Sequence, residues 1–184
     1  MSSFFLGRRA FIHKSGLLLS GTAVALLAGR DALAKPANKN AESDVAILNA
    51  ALGAELEAVA AYQVGAESGL LQKPVLDLAV KFQGHHKAHA EVLAGTIRKL
   101  GGDTVAAKAK YDFPVQTLKT QADVLRFAAG LEKGAVSAYL GAVGKFNDRE
   151  LARAAASILG DEAMHWAILR NAVGEDPVPA AFVG

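Results

Sequence analysis

The sequence contains no cysteine among its 184 residues. Disulfide bonds, thiolate metal sites and cysteine nucleophiles are therefore excluded, and this absence leaves the cellular compartment open. Aromatic residues are also few, at 7%, whereas the hydrophobic content of 52% is enough for one domain with a real core. Abundant glycine and alanine with few bulky aromatics favour close packing between helices.

The chain also lacks a strong excess of charge, with a formal net charge of +2. The first 34 residues hold Arg8, Arg9, Lys14 and Arg30 against Asp31, which leaves 16 basic and 17 acidic residues in the remainder. The remainder has no row of lysine or arginine residues along one face. We therefore expect no nucleic-acid partner.

The N-terminal segment, residues 1–34, looks like a twin-arginine export signal. The pair Arg8-Arg9 precedes an apolar run from Gly16 to Gly29, and Ala32-Leu33-Ala34 provides a small-x-small cleavage site. The alternative is a chance arginine pair before a Sec signal, or an uncleaved anchor. We expect a periplasmic or otherwise exported protein, carried by the twin-arginine translocase, and a mature part that does not span the membrane.

Apolar residues recur at steps of three and four in four segments, which is the period of amphipathic helices. We predict four helices, at about 43–69, 74–100, 122–146 and 149–173. A polar linker precedes them at 35–42 and an irregular tail follows at 174–184. Two connections are short and imply antiparallel neighbours, while the stretch at about 101–121 can cross the length of a bundle. The predicted fold for 43–173 is all-α: an antiparallel four-helix bundle with a long crossover between helices two and three.

Ionisable side chains interrupt these apolar stripes. Glu162 and His165 are three residues apart, so they share one face of helix four with the apolar residues around them. An unpaired buried charge is unfavourable, and the Glu-x-x-His spacing is one that dinuclear metal sites in helical bundles use. The inward ionisable residues are Glu55, His86, His89, Glu132, Glu162 and His165.

No lysine or arginine lies on any of the four stripes, so metal ions are the simplest means of neutralising the carboxylates. Carboxylates and imidazoles suit iron, manganese, zinc or copper, and bridging carboxylates can hold two ions. The alternative is a set of satisfied core polar groups with no metal. We expect His85 at the surface or behind the ligands. Tyr62 and Tyr139 are expected to be core aromatics whose hydroxyls need partners, with a role behind the ligands or in electron relay as the alternative.

The two halves of the predicted bundle repeat one helical hairpin. Placing Glu132 over Glu55 also aligns Tyr139 with Tyr62. Helix four laid on helix two aligns the other ionisable positions, Glu162 with His86 and His165 with His89. We therefore expect approximate two-fold symmetry, with the site on the symmetry axis.

This pattern resembles the ferritin-like superfamily, in particular exported bacterial ferritin-like domain proteins. The family pattern has Glu on helix one, Glu-x-x-His on helix two, Glu on helix three and Glu-x-x-His on helix four, with a long crossover between helices two and three. The matching positions are Glu55, His89, Glu132, Glu162 and His165. His86 departs from the pattern because it stands where the family has Glu.

The resemblance implies a dinuclear iron or manganese site that oxidises ferrous iron, disproportionates peroxide or activates oxygen, an activity of oxidoreductase type. Because His86 leaves three carboxylates instead of four, a mononuclear site, or copper or zinc, is the alternative. A non-enzymatic role in metal binding, stress protection or scaffolding is the second hypothesis. The expected partners are a small oxidant or a metal substrate, and a homodimer is a further hypothesis.

Overall fold

Helices account for most of residues 39–183, the part of the chain that this computed structural model describes. The predicted export signal at 1–34, residues 35–38 of the predicted linker and Gly184 lie outside the described residues. The helices are α1 (Lys39–Glu67), α2 (Lys73–Lys99), α3 (Gln121–Val143) and α4 (Arg149–Ala172). A single 3-10 turn, Val115–Thr117, lies in the long connection, and residues 39–183 contain no strand. The prediction of an all-α four-helix bundle is confirmed.

The bundle is built from two helical hairpins. α1 packs along α2, α3 packs along α4, and the hairpins meet through α1 and α3. One apolar cluster fills the end of the bundle that holds the α3–α4 connection, with Leu52, Leu93 and Ile158 among its members. A second fills the opposite end, with Phe82 and Leu169 among its members. On every helix, the ionisable residues stand between the residues that belong to the two apolar clusters. A polar layer therefore lies between two apolar layers.

Two helix boundaries differ from the predicted ones by more than two residues. α1 begins at Lys39, inside the predicted linker and before the predicted start at Ser43. The reason is tertiary: the buried Asp44 carboxylate accepts the backbone N–H groups of Asn147 at 2.8 Å and Asp148 at 3.0 Å, so it holds the α3–α4 connection and does not cap α1. α3 ends at Val143, short of the predicted 146, because Gly144 stops the helix.

The long crossover between α2 and α3 is held near its start and at its middle. The Asn49 side chain on α1 donates to the carbonyl of Asp103 at 2.8 Å and accepts the N–H of Val105 at 2.8 Å. Further along, the rings of Tyr111 and Phe113 stack with centroids 5.6 Å apart, and Phe113 meets Phe127 of α3 edge-on at 5.8 Å. These contacts hold the crossover against the bundle without regular secondary structure.

Candidate metal centre

Six ionisable side chains meet at one depth between the apolar clusters, and we call them the buried centre: Glu55, His86, His89, Glu132, Glu162 and His165. Five of them are at most 2% exposed, and the side chain of His89 is 16% exposed. The structure therefore brings together every residue that the sequence predicts as a ligand. The helical periods explain this, because each residue stands in register with the apolar residues that pack above and below it.

The first half of the buried centre is formed by α1, α2 and α4. The Glu55 carboxylate lies 2.8 Å from His86 Nδ1 and 3.6 Å from His89 Nδ1. Glu162 Oε1 lies 3.0 Å from His89 Nδ1 and 3.6 Å from His86 Nδ1. Two carboxylates and two imidazoles thus offer ligand atoms to one point, in a group that could hold a metal ion.

The second half is formed by α2, α3 and α4. Glu132 Oε1 lies 3.2 Å from His86 Nε2 and 3.6 Å from His165 Nδ1. Glu162 Oε2 lies 3.5 Å from His165 Nδ1. This half therefore repeats the composition of the first, with two carboxylates and two imidazoles that could hold a metal ion.

Two residues belong to both halves through different atoms. Glu162 presents Oε1 to the first half and Oε2 to the second, as a bridging carboxylate does. His86 presents Nδ1 to the first half and Nε2 to the second. The residue that departs from the family pattern is thus placed between the two halves, opposite Glu162 in the internal repeat.

The two tyrosines complete the symmetry. The Tyr139 hydroxyl donates to Glu55 Oε1 at 2.6 Å, and the Tyr62 hydroxyl donates to Glu132 Oε1. Each tyrosine therefore bonds to the glutamate of the other hairpin and not to the glutamate seven residues before it. Burial and the nearby glutamate charge raise the pKa of both tyrosines well above the usual value, so both stay protonated as donors.

Several buried atoms of the centre have no hydrogen-bond partner among the described residues. They are His89 Nδ1, His165 Nδ1, Glu132 Oε2 and both carboxylate oxygens of Glu162. His89 Nδ1 and Glu162 Oε1 are only 3.0 Å apart, yet they are not oriented to form a hydrogen bond with each other. Buried polar atoms are nearly always satisfied, so atoms that converge without bonding each other fit a group placed between them. The donor set of nitrogen and carboxylate oxygen fits a divalent metal ion.

The histidines of the centre hold protons strongly when no metal competes for them. Burial lowers the pKa of His86, but its contacts with Glu132 and Glu55 outweigh burial and raise the pKa to about 10. The same opposition, with Asp161, Glu162 and Glu55 as the acidic neighbours, raises the pKa of His89 to about 11. Contacts with Glu132 and Glu162 raise the pKa of His165 to about 9 despite its burial. Protonated imidazoles thus balance the carboxylates of the metal-free protein.

The three carboxylates do not behave alike. Burial raises the pKa of Glu55 and Glu132, but their contacts with the histidines lower both values below the usual range. Glu162 keeps a raised pKa because its burial and the neighbouring Glu132 and Glu55 outweigh the histidines. Glu162 is therefore the carboxyl group of the centre that takes up a proton first.

Asp161 is a neighbour of the centre to which the sequence patterns assign no role. Its Oδ2 atom lies 3.0 Å from His85 Nδ1, 3.3 Å from His165 Nε2 and 3.4 Å from His89 Nε2. Burial raises the pKa of Asp161, but the neighbouring histidines lower it to about 2. The internal repeat could have pointed to Asp161, because aligning α4 with α2 places Asp161 directly over His85. His85 lies partly exposed behind His165, in agreement with its expected place.

Known proteins share this fold. A solved structure of the conserved hypothetical protein Rv2844 from Mycobacterium tuberculosis superposes with a TM-score of 0.68 at 22% identity, over 78% of this chain and 99% of that one. The bacterioferritin-related protein from Bacteroides fragilis, a dodecameric thioferritin, superposes with a TM-score of 0.64 at 24% identity, over 84% of this chain and 93% of that one. A search of curated proteins found no match. The model of the ferritin-like domain matches residues 43–175, and the chain therefore belongs to the ferritin-like domain family.

Proposed function

We propose that this protein is an exported metal-binding protein whose buried centre holds two divalent ions, iron or manganese, and reacts with dioxygen or peroxide. The observation that carries the proposal is the division of the centre into two similar ligand groups that share Glu162 and His86. A single ion would use only one of these groups and leave buried atoms of the other without a partner.

His86 decides how the charge of two ions is balanced. Two divalent ions carry four positive charges against the three carboxylates Glu55, Glu132 and Glu162. A neutral imidazole has one free lone pair, so His86 can serve one group as a ligand and donate its N–H to the other group. Loss of this N–H proton would give the His86 ring a negative charge, the fourth at the centre, and would leave both ring nitrogens free to bind ions. The charge of the loaded centre therefore depends on the protonation state of one ring.

The residues around the ions would orient the ligands and handle protons. When bound, redox-active iron or manganese would give electrons to dioxygen or peroxide, or take electrons from peroxide. The hydroxyl donors of Tyr62 and Tyr139 hold one oxygen each of Glu132 and Glu55, and this fixes the rotation of those carboxylates. In the metal-free centre the burial of Glu162 and the neighbouring Glu132 and Glu55 raise the pKa of its carboxyl group, so Glu162 would release any proton it holds before its two oxygens bind ions.

An apolar cavity lies on the Tyr62 side of the buried centre. A cavity of about 20 Å³ lies there, and its lining atoms are almost entirely apolar. This volume is enough for one molecule of about the size of water, and an apolar lining disfavours water itself. Tyr62 lines the cavity and bonds to Glu132, so the side chain of Tyr62 separates a small apolar molecule held there, such as dioxygen, from the second ligand group.

Export is part of the proposal because of the sequence at 1–34. The twin-arginine route carries folded proteins, so the metal could be inserted before export, when the correct ion is available. Among the described helices, α1 is long and apolar enough to cross a membrane by length and composition. It nevertheless carries the buried Glu55 and packs along α2, so we propose that the mature part does not span the membrane.

A non-enzymatic metal-binding, stress-protection or scaffold role is the second candidate, and His86 is the observation that favours it. With three carboxylates, one of the two groups could bind a single zinc or copper ion while His86 donates to the other group. Such a site would bind metal without turnover. We also propose that subunits of this protein associate, since the Bacteroides fragilis protein of similar fold is a dodecamer.

Metal analysis and turnover separate these candidates. The protein is isolated from its native host for elemental analysis, and the metal-free form is reloaded with ferrous iron or manganese and then mixed with dioxygen or hydrogen peroxide. We expect at least two ions per chain, two of them in the buried centre, and an optical change with oxidant consumption. The matched variants are Glu132→Gln, within the centre, and Glu91→Gln, exposed on α2. Metal binding without consumption of oxidant would support the second candidate. A protein that takes up no iron, manganese, copper or zinc would refute the first candidate and leave the scaffold role of the second.

A further inference from the structure

A second group of ligand-type atoms lies outside the buried centre, on its partly exposed side. We call it the outer cluster: His85 Nδ1, Asp161 Oδ2 and His165 Nε2. The side chains of His85 and Asp161 are 35% and 24% exposed. His165 belongs to both places through opposite ring nitrogens, since its Nδ1 faces Glu132 and Glu162.

The spacing of these three atoms fits one metal ion. His85 Nδ1 lies 2.8 Å from His165 Nε2 and 3.0 Å from Asp161 Oδ2, and the third separation, between Asp161 and His165, is 3.3 Å. Ligands held at about 2.1 Å and at right angles around an ion are about 3.0 Å apart, and tetrahedral ligands are about 3.4 Å apart. All three observed separations lie near this range.

Hydrogen bonds among these three residues explain their close contacts less completely than a bound metal ion does. His85 Nδ1 faces both Asp161 Oδ2 and His165 Nε2, although a ring nitrogen has only one proton or one lone pair to offer. Asp161 Oδ2 also lies 3.4 Å from His89 Nε2, so one carboxylate oxygen serves three imidazoles. A cation between His85, Asp161 and His165 would satisfy all three atoms at once.

We propose that His85, Asp161 and His165 form an outer site for a divalent transition-metal ion. Two imidazoles and one carboxylate leave the remaining coordination positions open toward solvent, as in sites of iron(II) or zinc with exchangeable water. When both sites are loaded, His165 would hold the outer ion through Nε2 and a buried ion through Nδ1, which requires that its ring release the N–H proton to solvent. The outer site depends on the proposed function only through the shared ring of His165, and its other two ligands take no part in the buried centre.

Cobalt(II) binding to the metal-free protein, measured by equilibrium dialysis, tests this site. We expect His85→Ala to bind one ion fewer than the wild-type protein, or to bind that ion at least tenfold more weakly. Lys81→Ala, an exposed change on the same helix, serves as the control and should bind as the wild-type protein does. His85→Gln repeats the test with a side chain of similar size, and far-UV circular dichroism establishes that each variant is folded. An unchanged number and affinity of bound ions in His85→Ala would overturn the proposal.

A variant altered in the buried centre distinguishes metal binding at the outer site from metal binding at the buried centre. In the Glu55→Gln/Glu132→Gln double variant the buried centre loses two of its three carboxylates, whereas the outer cluster is unaltered. We expect this variant to retain one cobalt(II) ion, and adding His85→Ala to remove it. If the double variant binds as many ions as the wild-type protein and His85→Ala still removes one, the outer site stands and the metal role of the buried centre falls. If the folded double variant binds none, the outer site is refuted.

Discussion

Replacing His86 with glutamate gives the centre the carboxylate that the family pattern has at this position, and it should destabilise the metal-free protein. His86 lies 2.8 Å from Glu55 and 3.2 Å from Glu132, and its pKa of about 10 makes it a cation at neutral pH. The variant replaces that cation with a fourth buried carboxylate. Breaking a buried ion pair costs about 3–5 kcal/mol, so we expect the melting temperature to fall by roughly 6–20 °C.

Metal should reverse this loss. Four carboxylates balance the charge of two divalent ions, so the His86→Glu variant should bind manganese(II) more tightly than the wild-type protein. An ion present at 100 times its dissociation constant stabilises the folded state by about 2.7 kcal/mol per site. We therefore expect manganese(II) to raise the melting temperature of the variant by more than it raises that of the wild-type protein.

Thermal unfolding followed by circular dichroism, with chelator or with manganese(II), measures both effects. Lys87→Glu is the control, because it makes a similar change of charge at the next, exposed position of the same helix. The reasoning is refuted if metal-free His86→Glu is as stable as the wild-type protein. It is also refuted if manganese(II) stabilises the two proteins equally.

Three further predictions concern a tyrosine that bonds to the centre, the protons that metal binding displaces and a contact that holds the α3–α4 connection. Tyr139→Phe removes a donor to a buried carboxylate and should lower the unfolding free energy of the metal-free protein by about 1–3 kcal/mol in urea, whereas Tyr111→Phe in the crossover should change it little. Iron(II) affinity should rise with pH between 6 and 8, by about tenfold per pH unit for each proton released, because the ion must displace protons from imidazoles such as His86, whose pKa is raised. Calorimetry in buffers of different ionisation enthalpy counts these protons, and an affinity independent of pH would contradict the assignment of the ligands. Asp44→Ala should cost about 1–3 kcal/mol in the same urea assay and leave metal affinity unchanged, since it removes only the acceptor that holds the α3–α4 connection.

The sequence predicts the fold and the grouping of the buried centre because both follow from helical period. A glutamate such as Glu132 stands where its stripe requires an inward side chain, and the internal repeat puts Glu55 at the equivalent depth. The hydroxyl partners of the tyrosines could not be predicted. They lie on the other hairpin, so they depend on the distance and rotation between helices.

Other features depend on contacts that the periodicity does not contain. Asp44 looks like a helix start from its neighbours, but its partners Asn147 and Asp148 lie about a hundred residues away. The use of both nitrogens of His86 depends on the rotation of its ring between two carboxylates. Asp161 escapes the pattern because it is off the apolar stripe, and only its alignment with His85 in the repeat points to it.

Anaerobic titration of the metal-free protein with iron(II), in the wild-type protein and in Glu162→Gln, tests the shared centre most directly. Because Glu162 gives one oxygen to each ligand group, we predict two iron(II) ions in the buried centre of the wild-type protein, beside one in the outer site, and at least a tenfold loss of affinity for the two buried ions in the variant. Glu91→Gln, exposed on α2, should bind as the wild-type protein does. Wild-type affinity at both sites in the folded Glu162→Gln variant would contradict the account.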